Sequence, residues 1–538
     1  MPLAATADER AVAAVLAQCH AHWRLCLVET GLLPAVVQRA VDAASADRRV
    51  SVVRAPTRDG VNPLVATALP QAGDAAFVMV TGSGCILSDR ALHAVATEIA
   101  AHPDADLVYA DEDRIDAEGR RHDSFLKPDW SIDLALEQDL AGGFAVFRRS
   151  LLDTAHAQPL PADDGTVQDL ALQVVSDARR VRHIPAVLSH RTGRPSLAPS
   201  RAAVEGVITA WQNGPTRPSL IPSSFGLGRS RIRWDLQAPE PRVSLIVPTR
   251  DRPELLARCV EGLLARTEYP AIELIIADND SREPETLRLL AQLDRDPRVR
   301  ILSVPGPFNY SAINNAAAAV ATGEVLVLIN NDVDVIRPAW LREMVGHAMR
   351  RDVGAVGARL LFGDGTIQHA GVVLGVGRFE DGPGVAGHFG LSAPATDEGH
   401  GGQFVLTREV SAVTGACLAL RRSVFERVGG LDEANLPVAL NDVDLCLRIR
   451  ALGLRIVWTP FAELYHLESA SRGSDLAPGV AERFRRECRY VRDRWGPVLD
   501  ADPFYNPGFS RADHSFQLGK PAGQLEKPAR QLKTPPDL

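Results

Sequence analysis

The feature of this sequence that most constrains its fold is an alternation of helix-like stretches and short apolar runs that occurs twice. The first stretch runs from residue 8 to about 195 and the second from residue 242 to about 497. Alternation of this kind is typical of β-α-β units with parallel strands. Five elements follow in the same order and at similar spacing in both stretches, including "RLCLVE" in the first and "IELIIAD" in the second. We therefore predict an internal duplication and an α/β fold.

The boundaries of the two copies follow from local composition. We assign residues 1–212 to the first copy and residues 242–497 to the second. Residues 213–241 are rich in Pro, Gly and Ser and predict a linker with one short strand, "SRIRW". Residues 498–538 are polar and Pro-rich, which predicts an extended, partly disordered tail. We expect the first copy to begin one strand late, because nothing before Asp8 matches "VSLIVPTRD" of the second.

Composition excludes several classes of protein. The net charge of -8 gives no general basic surface, so we expect no nucleic-acid partner. Seven cysteines without a C-x-x-C pair predict reduced thiols rather than a disulfide framework or a zinc site. The amino terminus carries acids where a signal peptide needs a basic and then an apolar stretch, and no apolar run approaches the ~20 residues of a membrane span. We therefore expect a cytoplasmic protein.

Polar residues follow the predicted strands of the second copy in four places: "PTRDRP", "ADND", "PFNYSAINN" and "NNDVD". Ligands of open parallel sheets bind beyond the carboxyl ends of the strands. Asp278 could accept a hydrogen bond from a base or a ribose hydroxyl. Asp332, with Asn330 and Asp334 nearby, offers oxygen ligands suited to Mg²⁺ or Mn²⁺ between two phosphates. Each residue alone is more typical of a cap or a turn, but four clusters at one sheet edge favour a binding site.

Two later segments carry further candidate groups. "NDVDLCLRIRALG" begins with Asp442 and Asp444, either of which could cap a helix. A carboxylate at this position could equally act as a general base if it reaches an acceptor hydroxyl. His466 ends a strand-like run in "ELYHLESASRG". A lone histidine more often has a structural role, and the sequence by itself gives no reason to assign His466 another one.

With these segments, residues 242–473 resemble family 2 glycosyltransferases, which have the GT-A fold and use nucleotide-diphospho-sugar donors. The similarity rests on "VSLIVPTRDRPELL", "IIADNDS", "FNYSAINNAAAAVATGEVLVLINNDVDV", "VTGACLALRRSVFERVGGLDE", "NDVDLCLRIRALG" and "ELYHLESASRG". These motifs are most similar to bacterial enzymes that build surface polysaccharide. The first copy resembles the same family through "YADEDRIDAEGRRHDSFLKPDW". The resemblance implies two tandem GT-A-like domains, each Rossmann-like with a mostly parallel sheet.

The resemblance also implies roles for individual residues. Asp442 falls on the catalytic base, and Asp278 falls on the acid that contacts the nucleoside. Asp332 falls on the last acid of the D-x-D metal motif, in which Asn330 replaces the first, so Asp334 is expected to assist in binding Mg²⁺ or Mn²⁺. His466 falls on a residue that can complete the metal shell. The other residues expected to bind the donor are Pro248, Arg250, Asn309, Asn314, Asn315 and Asn331.

The first copy lacks all of these groups. Aligned without a gap to the metal loop, "FVMVTGSGCILSD" (residues 77–89) has Gly82 and Gly84 where the two acids belong. Glu29 and Thr30 replace the nucleoside-binding acid and its neighbour, and Val167 stands where the base is expected. We therefore predict that the first copy is an inactive glycosyltransferase domain, kept for structure, acceptor binding or assembly.

The predicted function is sugar transfer of the hexosyltransferase type from a nucleotide-diphospho-sugar to a saccharide or lipid-linked acceptor. The resemblance implies an inverting, metal-dependent reaction at one active site, in bacterial surface polysaccharide biosynthesis. A nucleotidyltransferase is disfavoured because no Gly- and Lys-rich phosphate loop follows the first strand. A non-catalytic carbohydrate-binding or scaffold protein is disfavoured by the intact "NDVDLCLR" and "HLESASRG" segments.

Residues 481–496 raise the question of peripheral membrane contact. They predict an Arg-rich helix with Phe484, Tyr490 and Trp495. Such a helix could lie at the anionic inner face of the cell membrane. Packing of its aromatic side chains on the second copy is the favoured alternative.

Overall fold

The computed structural model describes residues 1–3, 8–55, 61–82, 84–155, 166–175, 180–192, 198–226, 228–379, 382–467, 481–512 and 517–519. The elements of the first copy are β1 Pro2–Leu3, α1 Glu9–Leu16, β2 Leu25–Glu29, α2 Ala35–Ala44, β3 Val50–Arg54, α3 Val61–Ala68, β4 Phe77–Val80, β5 Cys85–Leu87, α4 Ala91–Ala101, β6 Leu107–Ile115, β7 Arg121–Phe125, α5 Ile132–Ala135, β8 Ala145–Arg148, α6 Arg149–Ala155, α7 Val167–Val174, β9 Val181–Arg191 and α8 Arg201–Ala210. A hairpin follows, with β10 Thr216–Pro222 and β11 Ser230–Leu236.

The second copy contains β12 Val243–Thr249, α9 Pro253–Ala265, β13 Ile272–Asp278, α10 Pro284–Leu293, β14 Val299–Ser303, α11 Tyr310–Val320, β15 Val325–Ile329, β16 Val333–Val335, α12 Trp340–Ala348, β17 Val353–Leu361, β18 Ile367–His369, β19 Val372–Leu374, β20 Arg378–Phe379, β21 Gly382–Pro383, β22 Ala386–His388, β23 Arg408–Glu409, β24 Cys417–Arg421, α13 Arg422–Arg427, α14 Asn441–Ala451, β25 Arg455–His466 and α15 Ala481–Leu499.

The sheet of the second copy has the strand order β14-β13-β12-β15-β24-β17-β25-β16. Strands β14, β13, β12 and β15 pair in parallel, as do β17 and β25, whereas β24 pairs antiparallel with both of its neighbours. Strands β12 and β15 are buried along their whole length. Burial on both faces explains why β15 is a continuous apolar run in the sequence and why β12 is mainly apolar.

The first copy repeats this arrangement in two pieces. Strands β1, β2 and β3 form a parallel three-stranded sheet. The order β4-β8-β6-β9-β5 in the second piece matches β15-β24-β17-β25-β16, which supports the predicted duplication. The predicted α/β fold class is confirmed, although parallel pairing is concentrated at one side of each copy and the remaining strands pair mainly antiparallel. The strand that was expected to be missing has a two-residue counterpart, since Pro2–Leu3 pairs in parallel with the end of β2 as Pro248 and Thr249 pair with the end of β13.

The segment between the copies is more ordered than a linker. Strands β10 and β11 pair over seven residue positions. Trp234 of β11 is buried and stacks on Trp211 of the first copy, with a centroid distance of 5.6 Å. The guanidinium of Arg350, from the second copy, lies 4.1 Å from the ring centroid of Trp234. This hairpin therefore packs between the two copies through its tryptophan. The Pro, Gly and Ser content of the segment, from which a linker was predicted, does not reveal this apolar contact.

The chain after α15 is packed rather than extended over the described residues. Tyr505 and Phe509 are buried in the core of the second copy. The Asn506 amide donates to Asp111 Oδ2 at 2.9 Å and to the Lys127 carbonyl at 2.8 Å, both in the first copy. Residues 500–512 thus join the copies, while residues 520–538 of the predicted tail lie outside the described residues.

Candidate functional site

The carboxyl ends of β12, β13 and β15 meet at one edge of the second sheet. Thr249 is paired with Asp278 in the register of β12 and β13. The Asn331 amide donates to Thr249 Oγ1 at 3.0 Å. Pro248 is buried beside them, Asp278 is half-buried and Arg250 is exposed. Four residues predicted to bind the donor therefore surround the same edge.

Asp332 and His466 form the centre of this edge. Val333 is paired with His466 in the register of β16 and β25, and His466 Nε2 lies 3.1 Å from Asp332 Oδ1. The other ring nitrogen, Nδ1, donates to Gln368 Oε1 at 2.7 Å. In the neutral ring this leaves Nε2 without a proton, so that it accepts from the Asn330 amide at 3.1 Å. Asp332 Oδ1 and the Asn330 amide thus both lie 3.1 Å from the same ring nitrogen of His466.

This geometry fits one side of a divalent cation site. Imidazole nitrogen and carboxylate oxygen both bind Mn²⁺, and a hydrogen bond to the second ring nitrogen is the usual way to fix a metal-binding tautomer. The described residues contain no group of three or more His, Cys, Asp or Glu side chains that could hold a metal ion. A cation bound by Asp332 and His466 therefore needs further ligands from outside this set, such as phosphate oxygens.

Asp334 does not join this pair. Its Oδ2 accepts from Arg258 Nε at 2.7 Å, and its Oδ1 accepts from Arg266. Both carboxylate oxygens of Asp334 are therefore engaged by arginines, Arg258 of α9 and Arg266 directly after it. We therefore leave Asp334, which the sequence suggested as a metal ligand, out of the candidate site.

Asp442 lies next to the same edge. It is half-buried in the first turn of α14, where its Oδ2 accepts from the Gly415 N–H at 2.8 Å. The Tyr310 hydroxyl donates to the Gly415 carbonyl at 2.9 Å. The following residue, Ala416, accepts from the Asn330 N–H at 3.1 Å. A continuous chain of contacts thus joins Asp442 to the loop that carries Asp332.

Asp444, the alternative base, has a structural role. It is 0% exposed, and its Oδ2 accepts from Arg448 Nε at 2.7 Å. Its Oδ1 accepts from Trp495 Nε1 of α15 at 2.9 Å. Buried and fully paired, Asp444 holds α15 against the second copy. Phe484, Tyr490 and Trp495 all pack against the core of this copy, in agreement with the packing alternative.

The three asparagines near α11 have mainly internal partners. Asn309 caps α11 and donates to the Glu433 carbonyl at 2.9 Å. Asn315 donates to the Leu431 carbonyl at 2.9 Å and accepts from its N–H at 2.9 Å. Asn314 is fully buried. Two of them therefore position the loop after α13, and their predicted contact with a donor stays a prediction.

Strand registers identify the corresponding positions of the first copy. Cys85 pairs with Arg191 as Val333 pairs with His466, so Gly82 and Gly84 correspond to Asn330 and Asp332. Arg191, in place of the histidine, forms an ion pair with Glu112 at 3.1 Å. The residue between the two glycines, Ser83, lies outside the described residues. In this copy an internal ion pair takes the place of the Asp332–His466 pair.

The other two substitutions in the first copy have similar outcomes. Asp169 of α7 is 0% exposed, like Asp444 in α14, and accepts from the Ser200 N–H at 2.7 Å. Val167, two positions earlier, then corresponds to Asp442. Glu29 forms an ion pair with Arg54 at 3.0 Å. The structural acid is thus retained in the first copy, whereas the candidate base is not.

Several residues of this site were missed in the sequence. Gln368 orients His466, and Tyr310 fixes the Gly415 carbonyl beside Asp442. His369 is fully buried, which lowers its pKa well below the ordinary value. The signal for Gln368 and His369 was the segment "TIQHAG", whose polar pair interrupts apolar residues. Residues 468–473 of the motif "HLESASRG" lie outside the described residues.

No helix among the described residues is both long enough and apolar enough to span a bilayer.

Comparison with known proteins gave matches over both copies. The model of the family described as "Glycosyl transferase family 2" matches residues 244–429. The chain is 39% identical over 528 residues to the uncharacterized protein y4gI of Sinorhizobium fredii, an alignment that covers 95% of this chain and 57% of the relative. It is 38% identical over 510 residues to the O-antigen biosynthesis protein RfbC of Myxococcus xanthus, covering 92% of this chain and 38% of the relative. The chain thus spans about half or less of these relatives.

Among solved structures, the mannosyltransferase PcManGT of Pyrobaculum calidifontis in complex with GDP-Man and Mn²⁺ matches with a TM-score of 0.34 and 18% identity. The match covers 50% of this chain and 67% of that one. At this score the likeness carries no argument about the site.

Proposed function

Residues 244–429 of this chain belong to glycosyl transferase family 2, and from this membership we propose that the second copy transfers a sugar from a nucleotide-diphospho-sugar. The acceptor is a hydroxyl group of a saccharide or of a lipid-linked saccharide. The observation that carries the proposal is the convergence of Asp442 with the Asp332–His466 pair at one sheet edge. A general base beside a candidate cation site is the arrangement that glycosyl transfer from a diphosphate requires.

Asp442 acts as the general base in this proposal. The Gly415 N–H holds the carboxylate at 2.8 Å, and its half-buried position leaves it accessible from solvent. It takes the proton of the acceptor hydroxyl as the oxygen bonds to the anomeric carbon and the bond to the diphosphate breaks. Attack from the side opposite to the leaving group inverts the anomeric centre.

Asp332 and His466 would hold Mg²⁺ or Mn²⁺ when the donor is bound. The cation would supply positive charge that stabilises the leaving diphosphate. Gln368 keeps the His466 ring in the orientation that directs Nε2 to the site. Asp278, at the end of β13, and Asn331, after β15, would contact the nucleoside and the diphosphate in this proposal.

The first copy contributes no second active site in this proposal. Gly82, Gly84 and Val167 supply no carboxylate, and Arg191 is engaged by Glu112. The pathway we propose is bacterial surface polysaccharide biosynthesis, since a relative that aligns over 92% of this chain carries the name O-antigen biosynthesis protein.

A nucleotide-release assay tests the proposal. The full chain is incubated with a panel of sugar nucleotides, Mn²⁺ or Mg²⁺ and candidate saccharide acceptors, and free nucleoside diphosphate is measured. We expect release from one class of donor, loss of release with Asp442→Asn, and normal release with the control Asp294→Asn at the exposed end of α10. Pyrophosphate as the product would indicate a nucleotidyltransferase instead. Carbohydrate binding without turnover would indicate a scaffold.

A further inference from the structure

Strand β23 of the second copy is held by the first copy on both sides of Arg408. The Thr407 N–H donates to Glu137 Oε2 at 3.1 Å. The Glu409 N–H donates to Ser131 Oγ at 3.0 Å. Two residues directly before this strand are buried in the hydrophobic core of the first copy, Val405 and Leu406. The first copy therefore fixes the main chain around Arg408.

The side chain of Arg408 reaches the main chain at Ala370. Arg408 is 3% exposed, and its Nε donates to the Gln403 carbonyl at 2.8 Å. Its Nη2 donates to the Ala370 carbonyl. The guanidinium lies 4.4 Å from the ring centroid of Phe389 and 5.2 Å from that of Trp458. Arg408 thus joins a segment that the first copy holds to a second segment of the chain, at Ala370.

This second segment carries the residue that orients His466. Gln368 lies two residues before Ala370, and its Oε1 accepts from His466 Nδ1 at 2.7 Å. The other ring nitrogen of His466 lies 3.1 Å from Asp332 Oδ1 at the candidate cation site. Gln368 belongs to β18, a strand of three residues that pairs with β17 at two positions. A hydrogen bond at the end of so short a strand helps to fix its position.

The chain turns directly after Ala370, at Gly371. This glycine has a φ of +96°, a conformation that favours glycine over other residues. A Cβ atom on Gly371 would lie 2.8 Å from Val410 Cγ1 and 3.5 Å from Arg408 Nη2. The turn thus brings the Ala370 carbonyl to the guanidinium in a space that has no room for a further side chain.

Packing of the core alone does not explain an arginine at position 408. Burial lowers the pKa of Arg408 to about 9, against the raising effect of the Asp502 charge. A buried charge is unfavourable, and a methionine would fill the space beside the two aromatic rings without this penalty. What the guanidinium adds is a pair of hydrogen bonds that holds the carbonyls of Gln403 and Ala370 in a fixed arrangement.

We propose that Arg408 is a positioning residue for sugar transfer, which fixes Gln368, and through it His466, relative to the strand that the first copy holds. The inference rests on the proposed function of the second copy. In this arrangement the first copy supplies no group to the reaction, but it determines how firmly a cation-binding side chain is oriented.

Mn²⁺ binding to the full chain tests this role without turnover. Calorimetric titration with Mn²⁺ in the presence of UDP, GDP or dTDP gives the dissociation constant for each variant. Arg408→Met removes the N–H donors and should weaken Mn²⁺ binding at least ~10-fold, as expected when a group that orients a metal ligand loses its support. Arg408→Lys retains a single donor group and should restore part of the affinity.

Arg421 provides a matched control at the opposite edge of the sheet. Its half-buried guanidinium donates to three main-chain carbonyls, those of Ala348, Arg350 and Val353, and burial lowers its pKa as well. Arg421 pairs with Val325 at the start of β15, whereas the candidate site lies beyond the end of that strand. Arg421→Met should therefore lower the unfolding midpoint and leave Mn²⁺ affinity unchanged.

Two further measurements separate positioning from general destabilisation. Gln368→Ala should weaken Mn²⁺ binding by a similar factor, and because Arg408 acts through Gln368, the double variant should lose little more than the weaker-binding single variant. In the metal-free chain, hydrogen exchange of the amides of residues 367–371 should become at least ~10-fold faster in Arg408→Met but not in Arg421→Met.

Glu137→Ala tests the contribution of the first copy. The substitution removes the acceptor of the Thr407 N–H and should weaken Mn²⁺ binding at least ~3-fold. Circular dichroism confirms that each variant is folded.

Unchanged Mn²⁺ affinity of Arg408→Met or of Glu137→Ala would overturn this inference alone. So would equal weakening by Arg421→Met, or losses that multiply in the double variant. Absence of Mn²⁺ binding to the unaltered chain would instead remove the cation site, and with it both this inference and the metal-dependent part of the proposed function.

Discussion

Replacing Asp133 by asparagine should strongly destabilise the protein, because this residue joins the two copies through buried charge. Asp133 is in α5 of the first copy and is 4% exposed. Its Oδ1 accepts from Arg350 Nη1 at 2.5 Å, and its Oδ2 accepts from Arg455, both in the second copy. Burial alone would raise the pKa of Asp133, but the charges of the two arginines outweigh this and hold it well below the usual range.

The expected loss in the free energy of unfolding depends on how well Arg350 and Arg455 remain paired after the substitution. Removing one partner of a buried ion pair destabilises by roughly 3–5 kcal/mol, since the remaining charge stays buried. Asp352 and Glu409 still pair with Arg455, which reduces the effect. For Arg350, the ion pair with Asp352 is longer, with 3.7 Å between the nitrogen and the oxygen. We therefore expect a loss near the lower end, about 3 kcal/mol.

Urea unfolding of the full chain at pH 7, followed by tryptophan fluorescence, measures this loss. Asp74→Asn is the control, because its side chain is 95% exposed and should change the free energy of unfolding by less than ~0.5 kcal/mol. The lowered pKa means that the contribution of Asp133 is present above the unfolded pKa of ~3.9 and disappears as the pH falls below it. A loss below ~1 kcal/mol at pH 7, or one that persists unchanged at pH 3, would refute this reasoning.

Four further predictions concern the site and the interface. Asp442→Ala should lower turnover at least ~10²-fold with the fold intact, whereas Asp444→Ala should lower the unfolding midpoint; near-normal turnover of Asp442→Ala would exclude it as the base. Asp332→Ala and His466→Ala should each weaken Mn²⁺ binding in the presence of donor at least ~10-fold by calorimetric titration, and unchanged affinity would remove the proposed cation site. The same titration should give one donor per chain, and a value near two that survives Asp332→Ala would mean that the first copy binds donor. Burial raises the pKa of Glu137 to about 8, so folding takes up a proton above the unfolded pKa of ~4.3, and the free energy of unfolding should fall as the pH rises from ~5 to ~8. Glu137→Gln should flatten this pH dependence, and an unchanged slope would assign the dependence to other groups.

The sequence was sufficient to predict the helices and strands, and to predict which polar residues directly follow the strands. Apolar runs such as "VLVLI" predicted buried strands because a strand buried on both faces has no polar position. The order of these runs indicated a duplication, which the matching strand orders support. Asp278, Asn331 and Asp332 were placed at one sheet edge by a rule about parallel strands that needs no coordinates.

Only the tertiary structure decided which side chains meet. Asp334 is two residues from Asp332 in sequence, but its two carboxylate oxygens accept from Arg258 of α9 and from Arg266, which directly follows that helix. Asp442 and Asp444 both begin α14, yet one faces Gly415 and the other is buried against α15. Sequence patterns define periodicity within an element, whereas these partners lie 27 to 76 residues away. The proximity of these partners depends on strand order and helix packing. The local sequence pattern could therefore identify these acids as candidates but could not distinguish their roles.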